Sequence, residues 1–313
     1  MGYFLLLLFS FVFSIILMPV LRNLGIKYHF CDEPKEDKLK IHTKPIPYLG
    51  GIGIFLTMTL GLLLASIFQK ILLMQTIGLI TSGGIIIALG LWDDFKLKRG
   101  KPRPLLKLFI QFLAALFVSF ILIKTGINLQ FFSYQLLIIL ISIFYLILVM
   151  NAINMEDGMN GLAGGLVIIS SLGFVILSLL MSNSLALIFS LMLAGSVLGF
   201  LIYNWNPASI FMGDNGSHFL GFSLVILTII FIGHPFYNLK WFIAPIFIVG
   251  LPIIEVGLTI IRRVTKSKSP LMGDRLHLYD RLHQKGLTIP QTALICYMIQ
   301  AILVISGILI IAN

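Results

Sequence analysis

Four short polar stretches stand out in a chain of 313 residues that is 58% hydrophobic and only 11% charged. They carry adjacent aspartates, repeated asparagines, an aspartate flanked by glycines and a histidine beside arginine: WDDFK (92–96), NAINMEDGMNG (151–161), FMGDNGS (211–217) and GDRLH (273–277). Carboxylate oxygens suit Mg²⁺ or Mn²⁺, and basic groups and helix starts suit phosphate. The set is therefore typical of metal-assisted phosphoryl transfer.

The aspartate pair closes the third long apolar segment of the chain. Asp93 and Asp94 repel each other and lie at the negative end of the helix dipole. A divalent cation would offset both costs. The alternative is a pair that only solvates the helix end beside basic residues, and the pair taken alone favours that alternative.

The asparagine-rich stretch follows the fifth apolar segment. Asn151, Asn154 and Asp157 recur at intervals of three, so they line one side of the helix if it continues. Gly158 and Gly161 then allow a turn and close backbone approach to a ligand. A polar hairpin is the simpler explanation, but this stretch has more hydrogen-bonding groups than a turn requires.

The third stretch places Asp214 where the eighth apolar segment begins, with Gly213 and Gly216 around it and Ser217 next. A carboxylate and free backbone N–H groups at a helix N-terminus suit a metal-bridged phosphate. Asp, Asn and Ser are also preferred helix caps. Capping and metal binding do not exclude each other at this position.

Ten apolar segments are each long enough to cross a bilayer, which takes about 20 residues. They lie near 3–21, 49–69, 71–92, 105–123, 133–150, 162–182, 184–203, 216–233, 241–261 and 289–311. We predict an all-α polytopic membrane protein that forms one integral membrane domain over 1–313. Cys31 and Cys296 are too few and too scattered for a disulfide framework or a metal cluster.

Basic residues predict the orientation of these segments. Of the 22 Lys and Arg, 19 lie in the loops that follow the odd-numbered segments. The positive-inside rule assigns those loops to the cytoplasm and both termini to the outside. Eleven of the 12 acidic residues also lie there, and Glu255 lies within the ninth segment. An intramembrane acid is costly, which makes Glu255 a functional candidate, and membrane orientation explains the net positive charge without a nucleic-acid partner.

The motifs in these loops resemble those of the polyprenyl-phosphate N-acetylhexosamine-1-phosphate transferase family. The matching stretches are HTKPIPYLGG (42–51), the Asp pair, NAINMEDGMNGLAGG (151–165), FMGDNGS (211–217) and SPLMGDRLHL (269–278). That family includes the phospho-N-acetylmuramoyl-pentapeptide translocase and the N-acetylglucosamine-1-phosphate transferases that initiate O-antigen and teichoic-acid linkage units. The resemblance covers essentially the whole chain, with five motifs in register.

The resemblance implies a reaction and its partners. A polyprenyl phosphate, undecaprenyl phosphate in bacteria, attacks the β-phosphorus of a UDP-N-acetylhexosamine and releases UMP. It implies Mg²⁺ as cofactor, with Mn²⁺ as an alternative. It also implies a bacterial or archaeal plasma-membrane protein among membrane lipids, with a cytoplasmic site, and members of the family often form homodimers.

The resemblance also implies roles for individual residues. Asp214 is expected to be the principal metal ligand with Asp94 as the second, although which of Asp93 and Asp94 binds the metal stays open. The expected catalytic residues are Asp93, Asp94, Asp157 and His277. The expected substrate-binding residues are Lys44, Lys107, Asn151, Asn154, Asn160, Asn204 and Arg275.

The chain departs from the family pattern at three positions. Asn160 stands where many members have aspartate, and Glu255 stands where aspartate is expected. His277 is a single histidine, followed by Tyr279 and Asp280, where the muramoyl-pentapeptide enzymes carry a histidine cluster. This difference favours UDP-N-acetylglucosamine as donor, and UDP-N-acetylmuramoyl-pentapeptide or another UDP-amino sugar is the alternative.

Two other classes of function are alternatives to the transferase. A transporter of an anionic metabolite would place its binding site near the bilayer midplane, whereas here only Glu255 is intramembrane. A catalytically inactive relative acting as a scaffold is suggested by the missing histidines. The clustering of polar motifs on one membrane face favours the transferase.

Overall fold

The computed structural model describes residues 2–34, 44–68, 71–97, 103–127, 135–232, 239–267, 269 and 275–312. These residues are almost entirely helical. The helices are α1 (Gly2–Lys27), α2 (Gly50–Ile67), α3 (Leu73–Trp92), α4 (Pro104–Lys124), α5 (Gln135–Glu156), α6 (Leu162–Leu180), α7 (Ser184–Asn204), α8 (Gly213–Ile232), α9 (Leu239–Ile248), α10 (Gly250–Thr265), α11 (Leu278–Gln284) and α12 (Ile289–Ala312). A π-helical turn, Asp93–Leu97, continues α3, and two short antiparallel strands, β1 (Cys31–Asp32) and β2 (Ile46–Pro47), pair before α2.

Within the described residues, nine helices are long and apolar enough to cross a membrane, and the bent pair α9–α10 can form a tenth span. This confirms the predicted all-α polytopic fold, with helix ends within a few residues of most predicted segments. Helices suit this role because every backbone group away from their ends is hydrogen-bonded within the segment. Many large apolar side chains on α1, α2 and α4 are exposed at the surface of the bundle, as expected of chains that face lipid.

Helix α8 is the central element of the bundle. It packs against α2, α3, α5, α6, α7 and α9, and nearly all of its length is buried. Phe222 and Phe231 are wholly buried on it, and the Phe231 ring stacks on that of Phe174 from α6 at 5.6 Å between centroids. Packing on all sides fixes where the first turn of α8 lies.

Backbone hydrogen bonds join the start of α2 to the segment that enters α8. Phe211 N donates to Pro47 O at 2.7 Å, and Gly51 N donates to Met212 O at 3.0 Å. A Cβ atom on Gly51 would collide with the backbone of Gly216. Glycine is therefore needed at position 51 for the two helix starts to meet.

The ninth apolar segment is not the single helix that a segment at 241–261 suggested. Helices α9 and α10 meet at an angle of 81°. Pro252 has no N–H to donate to the carbonyl of Ile248, one turn earlier. The side chain of Gln300 on α12 replaces the lost bonds, since its Nε2 donates to Ile248 O at 2.6 Å and its Oε1 accepts from Leu251 N at 2.9 Å.

We predict that Gln300→Leu destabilises the protein by leaving these two backbone groups unpaired. Each unpaired buried group costs about 1–3 kcal/mol. The melting temperature of detergent-purified protein measures the effect. Met298→Leu changes an exposed residue on the same helix and serves as the control; equal melting temperatures for the two variants would show that the Gln300 amide does not hold the break.

Candidate active site

Three elements bring an ion-paired cluster together at one end of the bundle. Lys107, in the first turn of α4, lies with its Nζ 2.5 Å from Asp93 Oδ2 and 3.5 Å from Asp214 Oδ2. Asp93 begins the π-helical turn and is 3% exposed, while Asp214 is in the first turn of α8. One ammonium group is thus shared by two carboxylates that come from distant parts of the chain.

The adjacent Asp94 faces the start of α8 instead. Its Oδ1 accepts from the backbone N–H of Asp214 at 3.0 Å, and its Oδ2 accepts from the N–H and Nδ2 of Asn215 at 3.1 and 2.8 Å. These backbone donors have no partner within a helix. Gly213, with φ of +75°, lets the chain turn sharply into α8 at this point. Asp94 is therefore a helix cap supplied from another element.

Helix α5 supplies an amide that contacts the other oxygen of the Asp214 carboxylate. Asn154 Nδ2 donates to Asp214 Oδ1 at 3.0 Å and lies 2.9 Å from Ser217 Oγ. Helix α5 continues beyond the apolar segment and ends at Glu156, so it carries both Asn151 and Asn154. Asp157 follows directly, with its N–H donating to Ile153 O at 3.1 Å. The asparagine amide thus orients the carboxylate expected to bind metal.

Asn151 lies one turn deeper on α5 and is bonded within the protein. Its Nδ2 donates to Gln111 Oε1 at 2.9 Å and to Ile147 O at 2.8 Å. Its Oδ1 accepts from Gln111 Nε2 at 3.3 Å. Direct contact of Asn151 with substrate, as the resemblance implied, stays a prediction, and these bonds give it a role in holding α4 against α5.

Asn204 and Asn160 connect the bend after α5 to the segment before α8. The buried Asn204 accepts from Gly161 N at 3.0 Å and donates to Ile210 O at 3.0 Å. Asn160 Nδ2 donates to Asn206 Oδ1 at 3.4 Å in an exposed position. The buried Asn204 amide therefore holds the bend after α5 against the segment before α8, while Asn160 lies nearer to solvent.

A second cluster surrounds His277 at the start of α11. Glu255 Oε2 accepts from Leu278 N at 3.1 Å and lies 3.7 Å from His277 Nδ1. Thr259 Oγ1 lies 3.5 Å from the same ring nitrogen. Glu255 and His277 are both buried. The acid singled out in the ninth segment thus orients the histidine and caps α11.

Tyr279 attaches this cluster to the asparagine bend. Its hydroxyl donates to Met155 O at 3.1 Å, and its ring stacks on His277 at 5.6 Å between centroids. Burial raises the pKa of Tyr279, which keeps the hydroxyl protonated as a donor. Leu278 and Leu282 of α11 pack against the same small core that contains Tyr279.

Lys44 and Arg275 are exposed. Lys44 comes two residues before β2, and Arg275 comes three residues before α11. The carbonyl of Arg275 accepts from Gln284 Nε2 at 3.3 Å. Their predicted roles as phosphate partners stay predictions. His42 and Asp274, which belong to the family-like motifs, lie outside the described residues.

The carboxylates fit a magnesium ion only together with substrate. Among the described residues, no three His, Cys, Asp or Glu side chains form a group that could hold a metal ion. Asp93 and Asp214 nevertheless converge on one cation, Lys107 Nζ. Mg²⁺ is commonly bound through one or two carboxylates, with water and substrate phosphates completing its coordination. The donor set therefore fits a metal that arrives with a phosphate ligand.

Gln111 and His218, two wholly buried residues beneath the cluster, were not predicted from the sequence. Both are isolated polar residues in apolar segments. Gln111 is four residues after Lys107, and His218 is four residues after Asp214. This spacing puts each of them on the same helix face as a predicted site residue. A polar residue at that spacing within an apolar segment was the signal in the sequence that could have identified them.

The fold and site define a class: a polytopic helical membrane protein with a cluster of carboxylates, amides and one lysine at an end of the bundle. Residues 76–232 match the model of glycosyl transferase family 4. The chain is 33% identical to the "Probable undecaprenyl-phosphate N-acetylglucosaminyl 1-phosphate transferase" of Bacillus subtilis, over 96% of this chain and 83% of that protein. The protein therefore belongs to glycosyl transferase family 4.

Two further relatives extend this comparison. The decaprenyl-phosphate N-acetylglucosaminephosphotransferase of Mycolicibacterium smegmatis is 28% identical, over 88% of this chain and 74% of that protein. The phospho-N-acetylmuramoyl-pentapeptide-transferase of Staphylococcus carnosus is 29% identical, over 90% of this chain and 89% of that protein. The relatives thus include both N-acetylglucosamine phosphate transferases and a phospho-N-acetylmuramoyl-pentapeptide transferase.

We predict that Asp94→Asn and Asp93→Asn affect stability differently. Asparagine at 94 turns one oxygen acceptor into an N–H donor that faces backbone N–H groups, at a cost of about 1–3 kcal/mol. Asparagine at 93 loses the ion pair with Lys107 but also removes a buried charge that repels Asp214, and Lys107 keeps Asp214 as a partner, so the net cost is smaller. Melting temperatures without substrate measure both effects. A larger loss for Asp93→Asn would contradict the capping role of Asp94.

Proposed function

We propose that this protein transfers N-acetylglucosamine-1-phosphate from UDP-N-acetylglucosamine to undecaprenyl phosphate or another polyprenyl phosphate. The observation that supports this most strongly is the convergence of Asp93, Lys107 and Asp214 at the start of α8. The Bacillus subtilis and Mycolicibacterium smegmatis relatives are named for this type of transfer. The reaction would begin the synthesis of a cell-envelope glycan.

In this reaction an oxygen of the lipid phosphate bonds to the β-phosphorus of the donor. The bond from that phosphorus to the bridging oxygen breaks, and the electron pair leaves with UMP. Phosphoryl transfer depends on positioning and on neutralising charge at the phosphoryl oxygens. Lys107 would contribute a positive charge there. The lipid phosphate is largely ionised at pH 7, since the second pKa of a phosphate monoester is about 6, so a general base is not obligatory.

We assign the metal ligands to Asp93 and Asp214. Bound Mg²⁺, with Mn²⁺ as the alternative, would neutralise charge on the donor phosphates. Asp94, the residue expected as second ligand, has both oxygens engaged by the start of α8. Its proposed task is to hold Asp214 in place. Asn154 would do the same from the opposite side through its bond to Asp214 Oδ1.

The remaining predicted residues are proposed either to contact the nucleotide-sugar donor or to balance phosphate charge at the surface of the protein. Asp157 and Asn160 lie in the bend after α5 and are proposed contacts to the nucleotide sugar. His277, oriented by Glu255, would contact the sugar phosphate. The exposed Lys44 and Arg275 would balance phosphate charge as substrates enter.

The acceptor is proposed to approach along α10. The outward face of this helix carries Ile254, Leu258 and Ile261, which are 45%, 47% and 61% exposed. Its inward face carries the buried Glu255 and Thr259, which lead to His277. An apolar stripe backed by polar contacts would suit a polyprenyl chain whose phosphate must reach the site. By the positive-inside rule the site faces the cytoplasm from the plasma membrane.

UMP release by detergent-purified protein tests the proposal. With undecaprenyl phosphate and Mg²⁺, UDP-N-acetylglucosamine is expected to yield UMP and UDP-N-acetylmuramoyl-pentapeptide is not. Asp214→Asn and chelation by EDTA should each lower the rate by about 100-fold or more, the scale of lost transition-state charge stabilisation.

The alternative outcomes distinguish the candidate donors. Release with the pentapeptide donor alone would assign the activity of the Staphylococcus carnosus relative and would mean that the single His277 is a poor guide to the donor. No release with either donor would overturn the proposed donor, and substrate uptake into proteoliposomes without UMP formation would favour a transporter.

A further inference from the structure

A buried hydrogen-bond network links three helices beneath the ion-paired cluster. Gln111 of α4 and Asn151 of α5 exchange amide hydrogen bonds at 2.9 and 3.3 Å. Gln111 Nε2 also lies 3.2 Å from His218 Nε2 of α8. Gln111 and His218 are both 0% exposed. Residues close to them in the chain, including Ala115, Met150 and Phe219, belong to the main hydrophobic core.

Each member of this network lies one helical turn deeper than a residue of the site. Gln111 follows Lys107 by four positions, and His218 follows Asp214 by four. Asn151 precedes Asn154 by three. Residues three or four apart lie on the same face of a helix. The network and the site therefore form two parallel layers on the same three helices.

Apolar contact alone would not set the depth of these helices precisely. Hydrophobic burial is non-directional, so neighbouring apolar helices can shift along each other at modest cost. Buried hydrogen bonds depend strongly on geometry, and leaving one unmade is costly. A shift of α4 against α5 or α8 would break the bonds of Gln111. The same shift would move Lys107 away from Asp93 and Asp214.

We propose that Gln111 and His218 are positioning residues that set the register of α4, α5 and α8, so that Lys107 meets Asp93 and Asp214. This inference rests on the proposed function and deepens it, because it names what holds the charge-neutralising lysine in place. Neither residue touches substrate in this scheme. Both act through the layer of residues above them.

Steady-state kinetics of Gln111→Leu, His218→Leu and the double variant test this inference. Small misplacement of catalytic groups can cost up to 100-fold in rate. We expect each single variant to lower kcat about tenfold while KM for UDP-N-acetylglucosamine stays within about twofold. The double variant should be little worse than either single one, because residues in one network are not additive. His218→Gln, which keeps a polar atom near the position of Nε2, should recover most of the activity.

A matched control separates this effect from general damage to the core. Ser119 lies two turns further along α4 than Gln111, and within the described part of the chain its hydroxyl bonds only to its own helix, at Ala115 O, at 2.8 Å. Ser119→Ala should leave kcat within about twofold of the parent. The inference would be overturned if the losses in kcat of the two single variants multiplied in the double variant. It would also be overturned if the variants lowered only the amount of folded protein and left kcat unchanged.

A second readout does not require activity. Acylation of Lys107 by N-hydroxysuccinimide acetate can be followed by peptide mass spectrometry in folded protein without substrate. Gln111→Leu should raise the labelling rate of Lys107 several-fold, since the amine leaves its ion pairs, and Ser119→Ala should not. If the parent protein releases no UMP, the proposed function fails, whereas an unchanged labelling rate in Gln111→Leu overturns the positioning role itself.

Discussion

The contact between Asp94 and the start of α8 is the interaction on which the site depends. Helix α8 is buried along nearly its whole length, so its first turn must find hydrogen-bond partners inside the protein. Asp94 supplies them from the end of α3. Because Asp93 is its neighbour, the same contact holds Asp93 facing Asp214. The cap and the ion-paired cluster are therefore two consequences of one short sequence, WDDFK.

The same physical problem is solved at other places in the bundle. At two other places where a helix starts or bends, a polar side chain from another helix satisfies the backbone. Gln300 does this at the bend between α9 and α10, and Glu255 does it at the start of α11. Unsatisfied backbone groups are expensive in lipid. Gln300, Glu255 and Asp94 therefore all act at points where a helix starts or bends, and the site is built at one of these points.

Much of the fold could be predicted from local patterns. Apolar runs of about 20 residues located most of the helices, and Asp214 does begin one of them, as the glycines and capping residues around it indicated. The break at Val249 was missed, because the run of apolar residues continues through it and Pro252 alone does not require a bend of 81°.

By itself, the sequence determined the helical membrane architecture, the family and the list of polar residues from which the site is built. Hydropathy, motif order and basic-residue counts are local properties, so they can be read without coordinates. The tertiary structure decided how those residues are used. It separated the adjacent Asp93 and Asp94 into an ion-pair partner and a helix cap, and it placed Gln111 against Asn151 and His218. Such pairings depend on the depth and rotation of helices far apart in the chain, which only packing in three dimensions determines.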